Sequence, residues 1–588
     1  MQFLVGILVV CASYGAGAAV TRRRLPIDEP LRREATTFAI GFGVLELLAL
    51  LFGSVGLFRP AVLGTVAVVF GIAGFVLAVR GARLVPARWR ALGWERWLLA
   101  TAAAICVVDV VLAAAPPTSG DALAYHLTAP KLWLHSHRMW AIWWNWPTFQ
   151  PLGVEMHFAY AQALWNGAAA VVVGALLASL GTVAVYGLAR EVSDARVASV
   201  AALIWVGQGM FLWEATGAFI DLPLSALVAL AVWNAVAYVR RRDPADLGWA
   251  GLAVGLAAST KIHALLALAL AACVVAVPTA RRRALALFAA GAAVAIPWYL
   301  RALVLTGNPF YPLAFGGRYW NANAQSDYTH EWKGDGIHGI WHLPFFPLEF
   351  VLQTKHYERG YSFSVALFVL APLVLLFVRR GWVRWFSLAI VVYLLLWWQG
   401  MHQATRYLLP ILVLAMPMAG LVAVRLWGSR WGRIYVAAAG TVSALLLVVI
   451  TGLYACQVLP AIVGTESTPH FVQRLTGDSA AFHWLDTHIP RGDVVALMGV
   501  RNSYWVQRPY VLYREPLYAS HNPPSVQRAR LVAAHVRYIA YEGGTPPKWL
   551  MPELRQIATL QAKVVTSRTL GRTASYPDVV RVYRWLRS

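Results

Sequence analysis

Charge is scarce in this 588-residue chain: Asp, Glu, Lys and Arg together make up 13% of it, about half the share of an average soluble domain. Lysine is scarcer still, with 6 residues against 44 arginines. The four cysteines, Cys11, Cys106, Cys273 and Cys456, lie singly in or beside apolar runs, a pattern that gives neither a disulfide framework nor a zinc cluster. The chain has no Gly-rich phosphate loop or dinucleotide fingerprint, no heptads, no low-complexity tract and no visible repeat. These absences exclude a soluble globular enzyme, a disordered tail and a disulfide-stapled scaffold.

What is abundant is apolar sequence, 59% of all residues, gathered into long runs. A helix needs about 20 apolar residues to cross a bilayer core. Runs of that kind occupy roughly 2–20, 36–58, 61–79, 97–115, 168–188, 197–213, 221–238, 284–300, 361–378, 385–399, 407–424 and 434–455. The stretch 248–278 is too long for one span and carries Lys261 and His263 in its middle. It is read as a hairpin of two short helices, for about 14 spans in all. The first run has no basic residue before it and Arg22-Arg23-Arg24 after it, which favours an uncleaved anchor over a signal peptide.

The net charge of +23 has a topological origin. Arginine clusters such as Arg22-Arg23-Arg24, Arg240-Arg241-Arg242 and Arg281-Arg282-Arg283 fall on alternate loops, which together carry +16. The tail from 457 carries +8, and everything else −1. The positive-inside rule puts the arginine loops in the cytosol and both termini outside. The basic excess therefore does not point to nucleic acid. The expected fold is a polytopic α-helical membrane protein with a small C-terminal extracytoplasmic α/β domain: residues 1–96 as additional N-terminal helices, 97–456 as the core with external loops 116–167 and 301–360, and 457–588 as the tail domain. In that tail Ala480–His488 reads as a helix, and Asp493–Gly499, Val536–Ala540 and Val579–Leu586 as strands.

The residues with chemistry gather at the predicted outer face. Asp121 directly follows the fourth span, where a carboxylate suits a general base on a hydroxyl; the competing reading is a helix cap. Tyr125, His126 and Lys131 follow near one rim of an interfacial helix, suited to sugar or phosphate, though interfacial aromatics are common. Lys261 at the mouth of a short helix pair is a natural partner for a lipid phosphate, with snorkelling to headgroups as the alternative. Arg406 lies at another outer mouth, and Arg301 reads as a headgroup anchor. Asp221 positions an acceptor, orients Lys261 or caps its helix. Glu155 reads first as a helix-start dipole partner. His330, His338, His342 and His356 lie near Glu331 and Asp335; the 338/342 spacing suits a metal on a helix, but Gly336 and Gly339 disfavour one there. A solvated loop over the site is the preferred reading, with no obligatory cofactor or metal.

In order along the chain come Asp121 after a span, Tyr125-His126, Pro130-Lys131, Pro151-Leu-Gly153-Val-Glu155, then Gly217-Ala-Phe-Ile-Asp221-Leu-Pro223, Ser259-Thr260-Lys261, Gly307-Asn-Pro-Phe-Tyr-Pro312 and Gln403-Ala-Thr-Arg406-Tyr407-Leu-Leu-Pro410. This series resembles the GT-C superfamily of polytopic glycosyltransferases, in its protein mannosyltransferase and aminoarabinose transferase branch, over about 110–425. Two departures stand out: Ala122 replaces a frequent acidic neighbour of the first Asp, and three spans precede the core. The resemblance implies a polyprenyl-phosphate-linked sugar donor, an extracytoplasmic lipid, glycan or protein acceptor, and inverting hexosyl or pentosyl transfer. It implies Asp121 as base with Asp221 beside it, Lys131, Lys261, Arg406, Tyr125 and His126 on the donor, and Glu155 and Tyr407 in support. The rival class is a transporter or flippase, which should carry ionisable residues at the bilayer midplane. Only Glu46 and Asp109 are acids well inside spans.

Overall fold

The computed structural model describes residues 1–21, 25–82, 92–261, 281–313, 316–320, 322, 324–326, 329, 339–345, 363–377, 381–400, 403–476, 479–500, 502–513, 523–543, 545–569 and 572–586. Among them, nine helices are long and apolar enough to cross a membrane, or ten with one bent pair counted as a single span. The chain is an integral membrane protein. Its first three helices, α1 (Gln2–Thr21), α2 (Pro30–Ser54) and α3 (Pro60–Ala82), belong to the bundle itself. Helix α1 packs on α2, α3 and α7 (Gly167–Val192). The small residues Gly15 and Gly17 are contact points. A Cβ on Gly15 would lie 2.1 Å from the Phe70 carbonyl oxygen, and one on Gly17 1.9 Å from that of Thr37. Such backbone-to-backbone approach is how small residues hold membrane helices together.

Between α3 and α7 run α4 (Glu95–Leu112), a π-helical turn (Ala122–His126), α5 (Thr128–Ser136) and α6 (Gly153–Leu164). The expected span 197–213 is broken. Helices α8 (Ala195–Val206) and α9 (Gly209–Ala215) meet at 64°, across Gly207 and a buried Gln208 that donates to the Trp205 carbonyl at 3.0 Å. Helix α10 (Asp221–Arg241) follows, then α11 (Pro244–Ala258). The second arm of the expected 248–278 hairpin lies outside the described residues. Next come α12 (Arg282–Ala292), α13 (Ile296–Thr306), α14 (Val365–Leu370), α15 (Gly381–Gly400), α16 (Leu409–Leu426) and α17 (Arg430–Ile462). Helix α17 runs to Ile462, so the tail domain starts later than residue 457: Pro460 is carried inside the helix.

The two ends of the bundle differ in chemistry. At one end Glu191 meets Arg240 and Arg241, each at 3.4 Å. There too Arg32 of α2 pairs with buried Asp246 and bonds Asn234 of α10 at 3.1 Å. The opposite end collects the C-terminus of α4, the N-terminus of α10, the C-terminus of α11 and the start of α16.

The tail folds as α18 (Thr468–Thr476) and α19 (Ser479–His488), then a five-stranded sheet with α20 (Pro524–Ala533). Strand order is β2-β1-β3-β5-β4. The three expected strands are β1 (Val494–Met498), β3 (Val536–Glu542) and β5 (Arg572–Trp585); β2 (Tyr510–Tyr513) and β4 (Leu554–Thr569) join them. Strands β1, β2 and β3 run parallel, and β5 pairs antiparallel with both β3 and β4.

Candidate active site

Four charges from four separate segments meet at that opposite end. Arg406 Nη2 lies 2.7 Å from Asp121 Oδ2, and Lys261 Nζ lies 2.7 Å from Asp221 Oδ1. The Tyr407 ring sits between the pairs, with the Lys261 ammonium 4.2 Å and the Arg406 guanidinium 5.4 Å from its centroid. Cations over aromatic faces gain electrostatic attraction that grows as water is excluded. The Asp221–Lys261 pair is buried, whereas the Asp121 side chain keeps 37% of its surface exposed. Asp121 is thus the acid of the group that a substrate can reach.

Local sequence explains the convergence. Asp221 opens α10, where a carboxylate faces the positive end of the helix. Lys261 follows the end of α11 on Ser259-Thr260, whose hydroxyls turn back onto the Leu256 carbonyl at 2.9 Å. Arg406 lies in a 3-10 turn (Thr405–Leu408) before α16. Trp397 Nε1 donates to the Ala404 carbonyl at 3.2 Å and the Tyr393 hydroxyl to that of Tyr407, which pins the turn. The broken α8–α9 span contributes a platform that the sequence did not suggest. Trp213 and Phe219 face the Arg406 guanidinium at 6.0 and 5.2 Å.

Burial acts to raise the Asp121 pKa, but Arg406, His126 and Lys261 outweigh it and hold the carboxyl down at about 2. The Tyr125 hydroxyl is pushed far up by burial and by Asp121. His126 Nδ1 lies 2.6 Å from Glu155 Oε1, with both side chains buried. Glu155 therefore bonds a neighbour as well as sitting in the first turn of α6. The preceding Gly153 has a packing reason: a Cβ there would lie 2.7 Å from Glu46 Oε2 and 3.0 Å from the Ser259 carbonyl oxygen.

Lys131 does not join this group. Its ammonium donates to the carbonyls of Tyr504 (2.5 Å) and Val506 (2.7 Å) and lies 5.2 Å from the Tyr504 ring centroid. Trp505 Nε1 adds a bond to the Pro117 carbonyl at 3.2 Å. The tail is thereby latched to the loop that carries Asp121. Burial pulls the Lys131 pKa down to about 8, so the amine is mostly protonated at neutral pH. Charged hydrogen bonds of this kind are each worth about 1.5–3 kcal/mol. Lys131→Met should therefore leave the bundle folded but speed proteolytic cleavage between α17 and α18 by about tenfold or more; an unchanged cleavage rate would show that the latch carries no weight.

Arg301 Nη1 donates to the Thr148 carbonyl at 3.0 Å, and its guanidinium lies over Trp133 and Trp298; the contacts are within the protein. The Gly307–Pro312 motif is a turn. Gly307 closes α13 at φ +81°, and Asn308 donates to the carbonyls of Leu313 and Gly316. His263, His330, His338 and His356, like Glu331 and Asp335, lie outside the described residues. Among those described, no group of three His, Cys, Asp or Glu side chains is arranged to hold a metal ion.

The fold is similar to that of solved polytopic membrane proteins. The structure of ArnT from Cupriavidus metallidurans bound to undecaprenyl phosphate superposes with a TM-score of 0.52 at 16% identity, covering 83% of this chain and 98% of that one. Its apo structure gives the same TM-score and identity over 84% and 98%. The archaeal oligosaccharyltransferase AglB from Archaeoglobus fulgidus, in complex with an inhibitory peptide and a dolichol-phosphate, is more distant: TM-score 0.44, 14% identity, 77% of this chain and 70% of that one. In sequence, residues 159–303 match the dolichyl-phosphate-mannose-protein mannosyltransferase family, while no curated protein matches the chain. The chain is thus similar in fold to ArnT, and about a quarter of it matches the mannosyltransferase family model.

Proposed function

We propose that the protein transfers a sugar from a polyprenyl-phosphate donor to an acceptor outside the cytosol, with inversion at the anomeric carbon. The observation that supports this most is the pairing of a reachable carboxylate, Asp121, with two cations, Arg406 and Lys261, at the end of the bundle opposite the arginine-rich loops. In this reading Asp121 meets the acceptor hydroxyl while the cations receive the negative charge that grows on the departing lipid phosphate. Both cations hold carboxylates in the resting site, so donor binding exchanges ion-pair partners. Tyr125, His126 and Tyr407 line the same place. The undecaprenyl phosphate in the ArnT structure supports a lipid phosphate as the ligand class. The arginine loops orient the site and both termini outward.

The test is a transfer assay in membranes with a panel of radiolabelled polyprenyl-phosphate sugars and a total-membrane acceptor fraction. Label moving from lipid to a new product supports the reading. Label crossing the bilayer on intact donor supports transport and overturns it.

A pH profile adds a sharper expectation. The Asp121 pKa is lowered from 3.8 to about 2, so the pairing with Arg406 is at full strength above the ordinary carboxylate range. It is lost only as pH falls through about 2. Asp121 should therefore contribute no slope to the transfer rate between roughly pH 5 and pH 8. An acid limb in that interval that disappears in Asp121→Asn alone would contradict the assignment.

A further inference from the structure

Glu46 lies within α2, fully buried in a span. An ionisable residue is costly there and tends to mark a working position. The transfer step above gives it no role. It belongs to the first three helices, outside the segment 159–303 that matches the mannosyltransferase family, yet its contacts lie behind the site. Its Oε1 accepts from Trp298 Nε1 of α13 at 2.6 Å. Its Oε2 faces the bare Cα of Gly153, the residue on which α6 opens. One turn of contacts further, the Tyr160 hydroxyl of α6 donates to the Leu45 carbonyl at 3.0 Å and ties the same two helices together.

Gly153 is one half of a joint. Its N–H donates to the Ser259 carbonyl at 2.8 Å, and Ser259 stands two residues before Lys261. The last carbonyls of a helix have no partner inside it and must find one elsewhere. At the end of α11, α6 serves Ser259 in this way, and α13 serves Ala258 through the Tyr299 hydroxyl at 3.0 Å. The Lys261 N–H itself returns to the Ala257 carbonyl at 3.1 Å. The backbone that carries Lys261 is therefore fixed by α6 and α13, and Glu46 touches both of those helices. The place a Gly153 Cβ would take lies 2.7 Å from Glu46 Oε2 and 3.0 Å from the Ser259 carbonyl oxygen, so the carboxylate fills the gap against the joint. From that joint the Lys261 ammonium reaches Asp221 at 2.7 Å and the Tyr407 ring centroid at 4.2 Å.

Resting on the transfer reading, we propose that Glu46 is a positioning residue for the cation that receives the lipid phosphate. Braced by Trp298, it holds the Gly153–Ser259 joint and so sets where the Lys261 ammonium stands. A binding group works only when the neighbours packed around it keep it within about 0.5 Å of its productive place. The demand is sharper here because donor binding exchanges the partner of Lys261: the ammonium has to turn from Asp221 to phosphate over a backbone that stays still. Glu46 touches neither donor nor acceptor, and its effect passes through Lys261. The first three helices then form part of the donor site rather than an addition to it.

The experiment measures binding of radiolabelled undecaprenyl phosphate to the full-length protein in detergent. Glu46→Leu removes the acceptor of the Trp298 bond and Trp298→Phe removes its donor; each should weaken binding by about tenfold. Glu46→Gln keeps the side-chain shape and an oxygen for Trp298, and should bind within about twofold of wild type. The deciding arm repeats Glu46→Leu in the Asp221→Asn, Lys261→Met background, which removes the buried ion pair as a unit. There it should change affinity by less than about twofold, because a residue that acts through Lys261 has nothing left to position. A tenfold loss in that background as well marks a general loosening of the bundle and overturns the proposal. So does a Glu46→Leu protein that binds as tightly as wild type, or a Glu46→Gln protein as weak as Glu46→Leu. A wild-type protein that binds no undecaprenyl phosphate and transfers nothing from any panel donor instead overturns the transfer reading, and the positioning role with it.

Discussion

Asp121→Asn should lower sugar transfer by about 10²–10⁴-fold, the range a positioned general base supplies, while leaving the protein folded. The amide keeps the shape of the carboxylate but cannot accept the proton. Its second effect runs the other way. Arg406 loses the carboxylate that holds it at 2.7 Å, so that carboxylate no longer competes with an anionic ligand for the guanidinium. Binding of undecaprenyl phosphate, followed by tryptophan fluorescence, should therefore be unchanged or up to about tenfold tighter, a gain of about 1.4 kcal/mol. Loss of turnover with retained phosphate affinity is the signature expected of a group that acts on the acceptor. Equal product from the variant and the wild type would remove Asp121 from the proton step.

Breaking the buried pair should have the largest effect on stability. Asp221 and Lys261 are almost fully enclosed and meet at 2.7 Å, and removing one partner of such a pair typically costs about 3–5 kcal/mol because the other charge stays buried. Asp221→Ala should therefore lower the thermal midpoint in detergent steeply. The double variant Asp221→Asn, Lys261→Met removes both charges and should recover most of that stability. It should not recover affinity for undecaprenyl phosphate if Lys261 receives the lipid phosphate. A double variant that binds as tightly as wild type would sink that role, and a mild Asp221→Ala would reduce Asp221 to a helix cap.

Nine of the expected spans were legible, matching long apolar helices among the described residues, because hydropathy and arginine placement both follow directly from the cost of polar groups in lipid. The gathering of Asp121, Asp221, Lys261 and Arg406 was legible for the same reason: each sits at a span end, and alternate spans bring those ends to one face. Geometry within that face was not. Hydropathy does not register a 64° bend, so the break at Gly207-Gln208, which sets Trp213 and Phe219 under Arg406, left no trace in the apolar run 197–213. Nor does composition announce a π turn. Lys131 was misplaced because a scarce lysine on the loop that carries Asp121 looks the same whether it faces a phosphate or two carbonyls from a segment 373 residues away. In the tail, β4 escaped notice because its residues, Leu-Arg-Gln-Ile-Ala-Thr-Leu-Gln at its start, are too polar to read as a buried run. Helix α17 outran its expected end because Gln457 and Pro460 lower hydropathy without ending the helix.

The Lys131 latch has a practical corollary. Because the segment Tyr504–Val506 supplies two carbonyls, a ring and an indole N–H to the segment between Pro117 and Lys131, the tail is not an appendage that can be trimmed without loosening the loop that carries Asp121. Grafting the tail domain of a protein of similar fold onto this bundle would need its own matching foothold. Shortened or chimeric chains that dissolve well and bind lipid yet turn over slowly are what such an interlocked design should produce.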